Sequence, residues 1–203
     1  PEALPTLHEV AKEEDLTGPT GRLQDTLRTL SEYDDRTLVD YCYQSGQTRE
    51  THPDNKHACL RYIGNVGTKN QEILKYLTEL VANDNASYTT RAYAAFALGE
   101  MEHRPAANVL NETLTKLSNL ENLEERRKSL RLRLKLLSAL TQMGYDDVRS
   151  TLIDMARADD KMMRLRAIRE LKKIADEEMR ELLEFKKQYD PDQKVRKAAE
   201  EAL

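Results

Sequence analysis

Cys42 and Cys59, the histidines His8, His52, His57 and His103, and the acidic pairs Asp34-Asp35, Asp146-Asp147 and Glu177-Glu178 are the residues of this sequence whose types can ligate a metal or carry a catalytic step. A zinc site needs thiols and imidazoles at close, repeated spacings. The two cysteines lack a CxxC spacing and have no histidine cluster beside them, so packed thiols are expected, with a disulfide between them the lesser alternative. The acidic pairs, and the run Glu121, Glu124, Glu125, fall at expected helix starts, where the backbone dipole and solvent hold carboxylates without a cation. Hydrolytic or group-transfer chemistry needs a nucleophile, a base and an orienting group converging on one pocket. The histidines are scattered and read as loop or surface residues, and the sequence has no GxSxG, HExxH, Walker or GxGxxG motif. No catalytic residue, metal ligand or cofactor site is therefore expected, and the chain reads as a non-enzyme.

One pattern rises above the background of solvated charge. Residues 126–135 contain Arg126, Arg127, Lys128, Arg131, Arg133 and Lys135. At about 100° per residue, Lys128, Arg131 and Lys135 fall within about 60° of one another, away from Leu130, Leu134, Leu137 and Leu140. Arg166, Arg169 and Lys173 likewise fall opposite Ala167, Ile168, Leu171 and Ile174. Such a basic strip would take up a protein with an acidic face. The plainer alternative is a set of solubilising charges paired with Glu124, Glu125 and Glu170 along their own helices. Arg133 lies on the apolar side and is expected to pair with a buried or inter-repeat carboxylate. The chain carries 36 acidic and 32 basic residues, a net charge of −4, so no global field favours nucleic acid. Aromatic residues do not interleave with the basic run, which further disfavours single-stranded nucleic acid and leaves a phosphate-rich polymer as a secondary alternative.

The elements that position these residues follow from internal self-similarity. A basic residue is followed by small or apolar residues three and four positions later and by an apolar residue seven later. The template reads Lys56, Cys59, Leu60, Ile63; then Arg91, Ala94, Ala95, Leu98; then Arg133, Leu136, Leu137, Leu140; then Arg164, Ala167, Ile168, Leu171; and, less cleanly, Arg196, Ala199, Glu200, Leu203. Successive copies start 35, 42, 31 and 32 residues apart, the spacing of two-helix units with one insertion. Offsets of three, four and seven make one helical stripe, so each copy is the second helix of a pair. The first helices are expected at 70–81, 105–117, 147–156 and 177–185. Lys135 and Arg166 share one template offset, so stacking should merge the two basic clusters.

The segment TTRAYAAFALGEM at 89–101 resembles the second helix of a HEAT repeat, of the short type also found in bilin lyases. The similarity covers about 54–203. It implies an all-α, right-handed α-solenoid of antiparallel helix pairs, with second helices lining the concave surface and a non-enzymatic role in binding a protein. A bilin-lyase-like enzyme or chaperone is the alternative that the resemblance carries. HEAT-like metal hydroxylases carry repeated His-Glu pairs, whereas this chain has only His8-Glu9; HEAT-like DNA glycosylases use tryptophan-lined clefts, and Trp is absent.

Composition agrees with a helical array: apolar residues are 39% and charged residues 33%, with only 7 Gly and 6 Pro. No apolar run is long enough to span a membrane. Residues 1–53 should form an irregular first unit continuous with the array, with helices at 4–12, 22–32 and 36–44 and a polar loop at 45–54. Gly64, Gly67, Gly99 and Gly144 are expected as left-handed residues closing second helices. Asp190 before Pro191 reads as N-cap then first helical residue, and Asp159-Asp160 as another helix start. Ten to twelve helices are expected in all. The sequence opens at Pro1 and stops at Leu203 without a polar capping helix, so a longer parent protein is expected, or a last helix that docks on something else.

Overall fold

The computed structural model describes residues 4–172 and 177–203. Among them are thirteen α-helices and no strand. The first unit contains α1 (Leu4–Lys12), α2 (Gly21–Glu32), α3 (Val39–Gln47) and α4 (Pro53–Val66). Antiparallel pairs follow: α5 (Gln71–Ala82) with α6 (Tyr88–Glu100), α7 (Ala107–Ser118) with α9 (Leu130–Gln142), α10 (Asp146–Arg157) with α11 (Lys161–Leu171), and α12 (Glu177–Tyr189) with α13 (Gln193–Ala202). The helix beyond the expected dozen is α8 (Leu123–Lys128), which occupies the insertion in the repeat spaced at 42 residues. It is broken from α9 at Ser129, so 126–135 is not one continuous helix.

The stripe predicted by the template is the core. Cys59, Leu60, Ile63, Ala94, Ala95, Leu98, Leu136, Leu137, Leu140, Ala167, Ile168 and Leu171 are all buried. Burying each of the leucines or isoleucines contributes about 1.5–3 kcal/mol relative to exposure. The second helices stack in sequence, α4 on α6 and α6 on α9, and small residues let their backbones touch. A methyl placed on Gly64 would sit 2.8 Å from Ala97 Cα, and one on Gly99 would sit 2.8 Å from Ala139 Cα. These two glycines are therefore interior packing residues, not helix closers. Gly67 (φ 71°) and Gly144 (φ 87°) do adopt the left-handed conformation expected of them.

The leading basic residue of the template has a structural task. Arg91 donates from Nε to Val81 O at 2.8 Å, Arg164 from Nη1 to Ala158 O and Asp159 O at 3.0 and 2.6 Å, and Arg196 from Nη1 to Asp190 O at 2.6 Å. Each clamps the turn between its own helix and the preceding first helix, supplying donors to carbonyls left open there. At the first copy the neighbouring Asn55 reaches a different connection, the one between α1 and α2, bridging Leu16 O, Gly18 O and the Thr20 N–H.

Two boundary expectations change. The expected polar loop shrinks because α3 runs to Gln47 and α4 starts at Pro53, with His52 Nδ1 accepting the Asp54 N–H. Asp190 does not cap α13. Asp192 does, accepting the N–H groups of Lys194 and Val195, while Asp190 turns inward to meet two cations. Asp160 caps α11 as expected, accepting the Met163 N–H at 2.7 Å.

Candidate functional site

On α6 the alanines and Leu98 face the core, which leaves Tyr93 and Phe96, three residues apart, half-buried on the outward side of the second-helix layer. The neighbouring helices cover these rings from both directions. From α4 the His57 ring stacks on Tyr93 with centroids 4.9 Å apart and planes at 23°. From α9 the Arg131 guanidinium lies over Tyr93, Cζ 4.9 Å from its centroid, and Nη2 donates to the phenol oxygen at 3.0 Å. One helical turn on, Lys135 Nζ lies 5.3 Å from the Phe96 centroid and pairs with Glu170 of α11 at 2.8 Å. The face is thus tied across four successive second helices by ring stacking, cation–π contact and an ion pair.

The expected basic strip is altered by these contacts. Lys128 belongs to α8 and is paired with Glu125 at 2.9 Å. Glu125 also accepts from the Tyr88 hydroxyl at 3.0 Å. Lys135 is paired across the repeat boundary, with side chains of Lys135 and Glu170 only 19% and 11% exposed. Arg131, Arg166 and Arg169 are exposed and have no carboxylate partner among the described residues. Lys173 lies outside the described residues. Because Lys135 on α9 meets Glu170 on α11, the register sets Arg131 and Arg166 one turn back at matching levels. Aromatic residues do interleave with the cations, contrary to the sequence expectation, and they come from the adjacent helix.

His57 is therefore neither a loop nor a plain surface residue. Burial lowers its pKa below the ordinary imidazole value, against the pull of Asp54 and with help from the Arg131 charge, which favours the neutral ring on Tyr93. Its Nε2 lies 3.0 Å from Thr90 Oγ1. Arg133 also departs from expectation: its Nη2 donates to Arg126 O at 3.0 Å, and it meets no carboxylate among the described residues. Cys42 and Cys59 are free and buried, and burial together with the Cys59 contact pushes the Cys42 thiol well up. Among the described residues no group of three or more His, Cys, Asp or Glu is placed to hold a metal ion, and no helix is long and apolar enough to cross a membrane.

The Lys135–Glu170 pair gives one prediction. Lys135→Glu would press two carboxylates together at a covered position and is expected to destabilise the array by about 2 kcal/mol, measured by urea denaturation. Arg169→Glu should stay within about 0.5 kcal/mol of the parent.

A family model of HEAT repeats matches residues 117–203, and one of the PBS lyase HEAT-like repeat matches residues 90–116. The chain is a HEAT-repeat protein. A search of curated proteins finds no matching sequence. Among solved structures, the complex of CpcE and CpcF of phycocyanin lyase from Nostoc sp. PCC7120 is similar at 14% identity, over 98% of this chain and 94% of that chain, with a TM-score of 0.52. A designed armadillo repeat protein is similar at 18% identity over 98% of both chains, with a TM-score of 0.40. The lyase likeness is one of fold. It places the HEAT repeats of this chain in an array of the same architecture.

Proposed function

We propose that this HEAT-repeat chain is a non-enzymatic scaffold that holds a protein with an acidic face against its second-helix layer. The carrying observation is the cross-repeat ladder of His57, Tyr93 and Arg131 beside Phe96, Lys135 and Glu170. Aromatic and Arg side chains make most of the binding energy in protein interfaces. Here their rotamers are already fixed by neighbours, so a partner gains contact area without the usual ordering cost. Arg166 and Arg169, free of ion pairs among the described residues, would raise the association rate of an acidic partner and set its orientation.

The test is the triple variant Arg131→Glu, Arg166→Glu, Arg169→Glu. Reversing Lys135 is left out because Glu170 makes it a folding residue. The variant should keep the parent's helicity, and its affinity for a partner captured by the parent chain from its native source should fall at least tenfold at low salt and lose its salt dependence. Equal affinity of parent and variant would place the partner elsewhere.

A bilin-lyase-like role is the second reading. It is favoured by the PBS lyase HEAT-like match at 90–116, which includes most of α6 with Tyr93 and Phe96. A visible absorbance shift on mixing with free tetrapyrrole, lost in Tyr93→Ala, would support it over the scaffold. Salt-sensitive retention on heparin that the triple variant loses would instead assign the face to a phosphate-rich polymer.

A further inference from the structure

On the other side of the array, α7 and α10 are separated by a cleft of about 240 Å³. Its floor is Arg133 and Leu137 of α9, and its apolar walls are Leu114 from α7 with Val148 and Met155 from α10. Hydroxyls of Thr115, Ser118 and Thr151 line it as well, and they make no hydrogen bond among the described residues. No acidic residue among the described residues lines it.

Arg133 is the anomaly. Two counterparts at the same template position are neutralised, Arg91 by Asp84 at 3.0 Å and Arg164 by Asp190 at 2.9 Å, while Arg196 spends its Nη1 on the carbonyls of Asp190 and Pro191. At Arg133 the insertion has replaced the turn with α8, and the nearest offered group is the carbonyl of Arg126. The guanidinium is half-buried, and among the described residues Nε, sealed from solvent, has no partner and Nη1 makes no bond. Burial and the neighbouring Arg126 charge both lower its pKa, the signature of a cation short of an anion.

We infer that the α7–α10 cleft binds a small aliphatic carboxylate, its charge on Arg133 and its chain along Leu114, Leu137, Val148 and Met155. A single guanidinium matches a monoanion, and a carboxylate gains a charge-assisted hydrogen bond from it. A bare inorganic ion would leave the four aliphatic side chains unused, and an amine would find no counter-charge. The cleft exceeds the roughly 150 Å³ that accepts benzene and falls below the roughly 300 Å³ where drug-sized pockets begin. That suits a chain of about six carbons. The site does not depend on the second-helix face and would stand if that face bound nothing.

The test uses hexanoate, 1-hexanol and hexylammonium as probes, followed by NMR of the Met155, Leu137 and Val148 methyl groups. Hexanoate should shift these methyls saturably with a Kd on the order of 1 mM, and the alcohol and the amine should bind at least about tenfold more weakly, the worth of one charge-assisted hydrogen bond. Arg133→Met should reduce hexanoate binding to the level of the alcohol. Thr151→Phe, an exposed position whose ring would fill the cleft, should abolish binding with Arg133 still in place. Methyl shifts absent with hexanoate, equal binding of hexanoate and hexanol, or hexanoate binding untouched by either substitution would each overturn the assignment.

Discussion

Asp190→Ala is expected to be among the most damaging single changes to this chain, costing about 3–5 kcal/mol. The Asp190 side chain is fully covered. Its Oδ2 accepts from Arg164 Nε at 2.9 Å and from Lys186 Nζ at 3.2 Å, and its Oδ1 accepts from Arg164 Nη2 at 3.1 Å and from the Asp192 N–H at 3.1 Å. One carboxylate thus serves two buried cations and a turn. Deleting it leaves Arg164 and Lys186 uncompensated in a place water does not reach, a larger loss than the pair's own net contribution. Because Arg164 belongs to α11 and Asp190 to the turn before α13, the break falls between two repeats. In an array whose stability is a sum of neighbour terms, hydrogen exchange should rise most in α12 and α13. Arg164→Met made in the Asp190→Ala background should cost far less than in the parent, since the charge it removes is already unpaired.

The same carboxylate makes the acid response predictable. Burial alone would raise its pKa, but the Arg164, Asp192 and Lys186 hydrogen bonds outweigh it and hold the folded value below the usual one. The unfolded chain therefore takes up this proton first as pH falls. Asp190's contribution is complete above the unfolded carboxyl value of about 4 and is lost as pH falls from there through the folded value. The stability gap between parent and Asp190→Ala should be constant near neutral pH and narrow below about 4. A gap that stays constant into strong acid would rule out the ionised carboxylate as its source.

Gly99→Val is expected to cost about 3 kcal/mol, and Gly99→Ala should also destabilise, against the usual sign. Alanine in a helix interior is ordinarily worth about 1 kcal/mol over glycine. At Gly99 the added methyl would meet Ala139 Cα and Cβ at 2.8 Å, and a backbone cannot step aside as a flexible side chain can. Gly21, in the first turn of α2 with nothing within 4 Å, is the control where Ala should be neutral or stabilising. Ala139→Gly should return part of the Gly99→Ala loss, because it removes the Cβ, one of three atoms within 3 Å of the added methyl, the third being the movable Gln142 Oε1. Thermal melts of the four variants would decide it, and a stabilised Gly99→Ala would show that the second helices have slack between them.

The sequence template located all five second helices because apolar periodicity and local spacing are properties of one helix at a time. Properties that need two helices in register were not legible. Lys135 looked solvent-facing on its own wheel, and only the neighbouring α11 makes it a partner of Glu170. Tyr93 and His57 lie 36 residues apart in sequence and meet only when α4 and α6 stack. Gly99 carries the same letter as Gly144, yet one is needed for close approach and the other for a positive φ. Asp190 read as the cap of the last helix, but Arg164, far upstream, draws it inward and Asp192 caps the helix instead. The repeated arginine was visible as a pattern, but its acceptors are mostly backbone carbonyls, which leave no trace in side-chain types.

The glycine and alanine contacts also govern how the array can flex. Where backbones already touch, as at Gly64 with Ala97 and Gly99 with Ala139, the second-helix layer cannot shorten and behaves as an incompressible spine. Bending there must be absorbed by the opposite layer, and between α7 and α10 that layer has a gap to give. Anything lodged in that gap acts as a wedge against a fixed spine, so a filled cleft would hold one curvature of the array and stiffen the spacing of Tyr93, Arg131 and Arg166 on the far side.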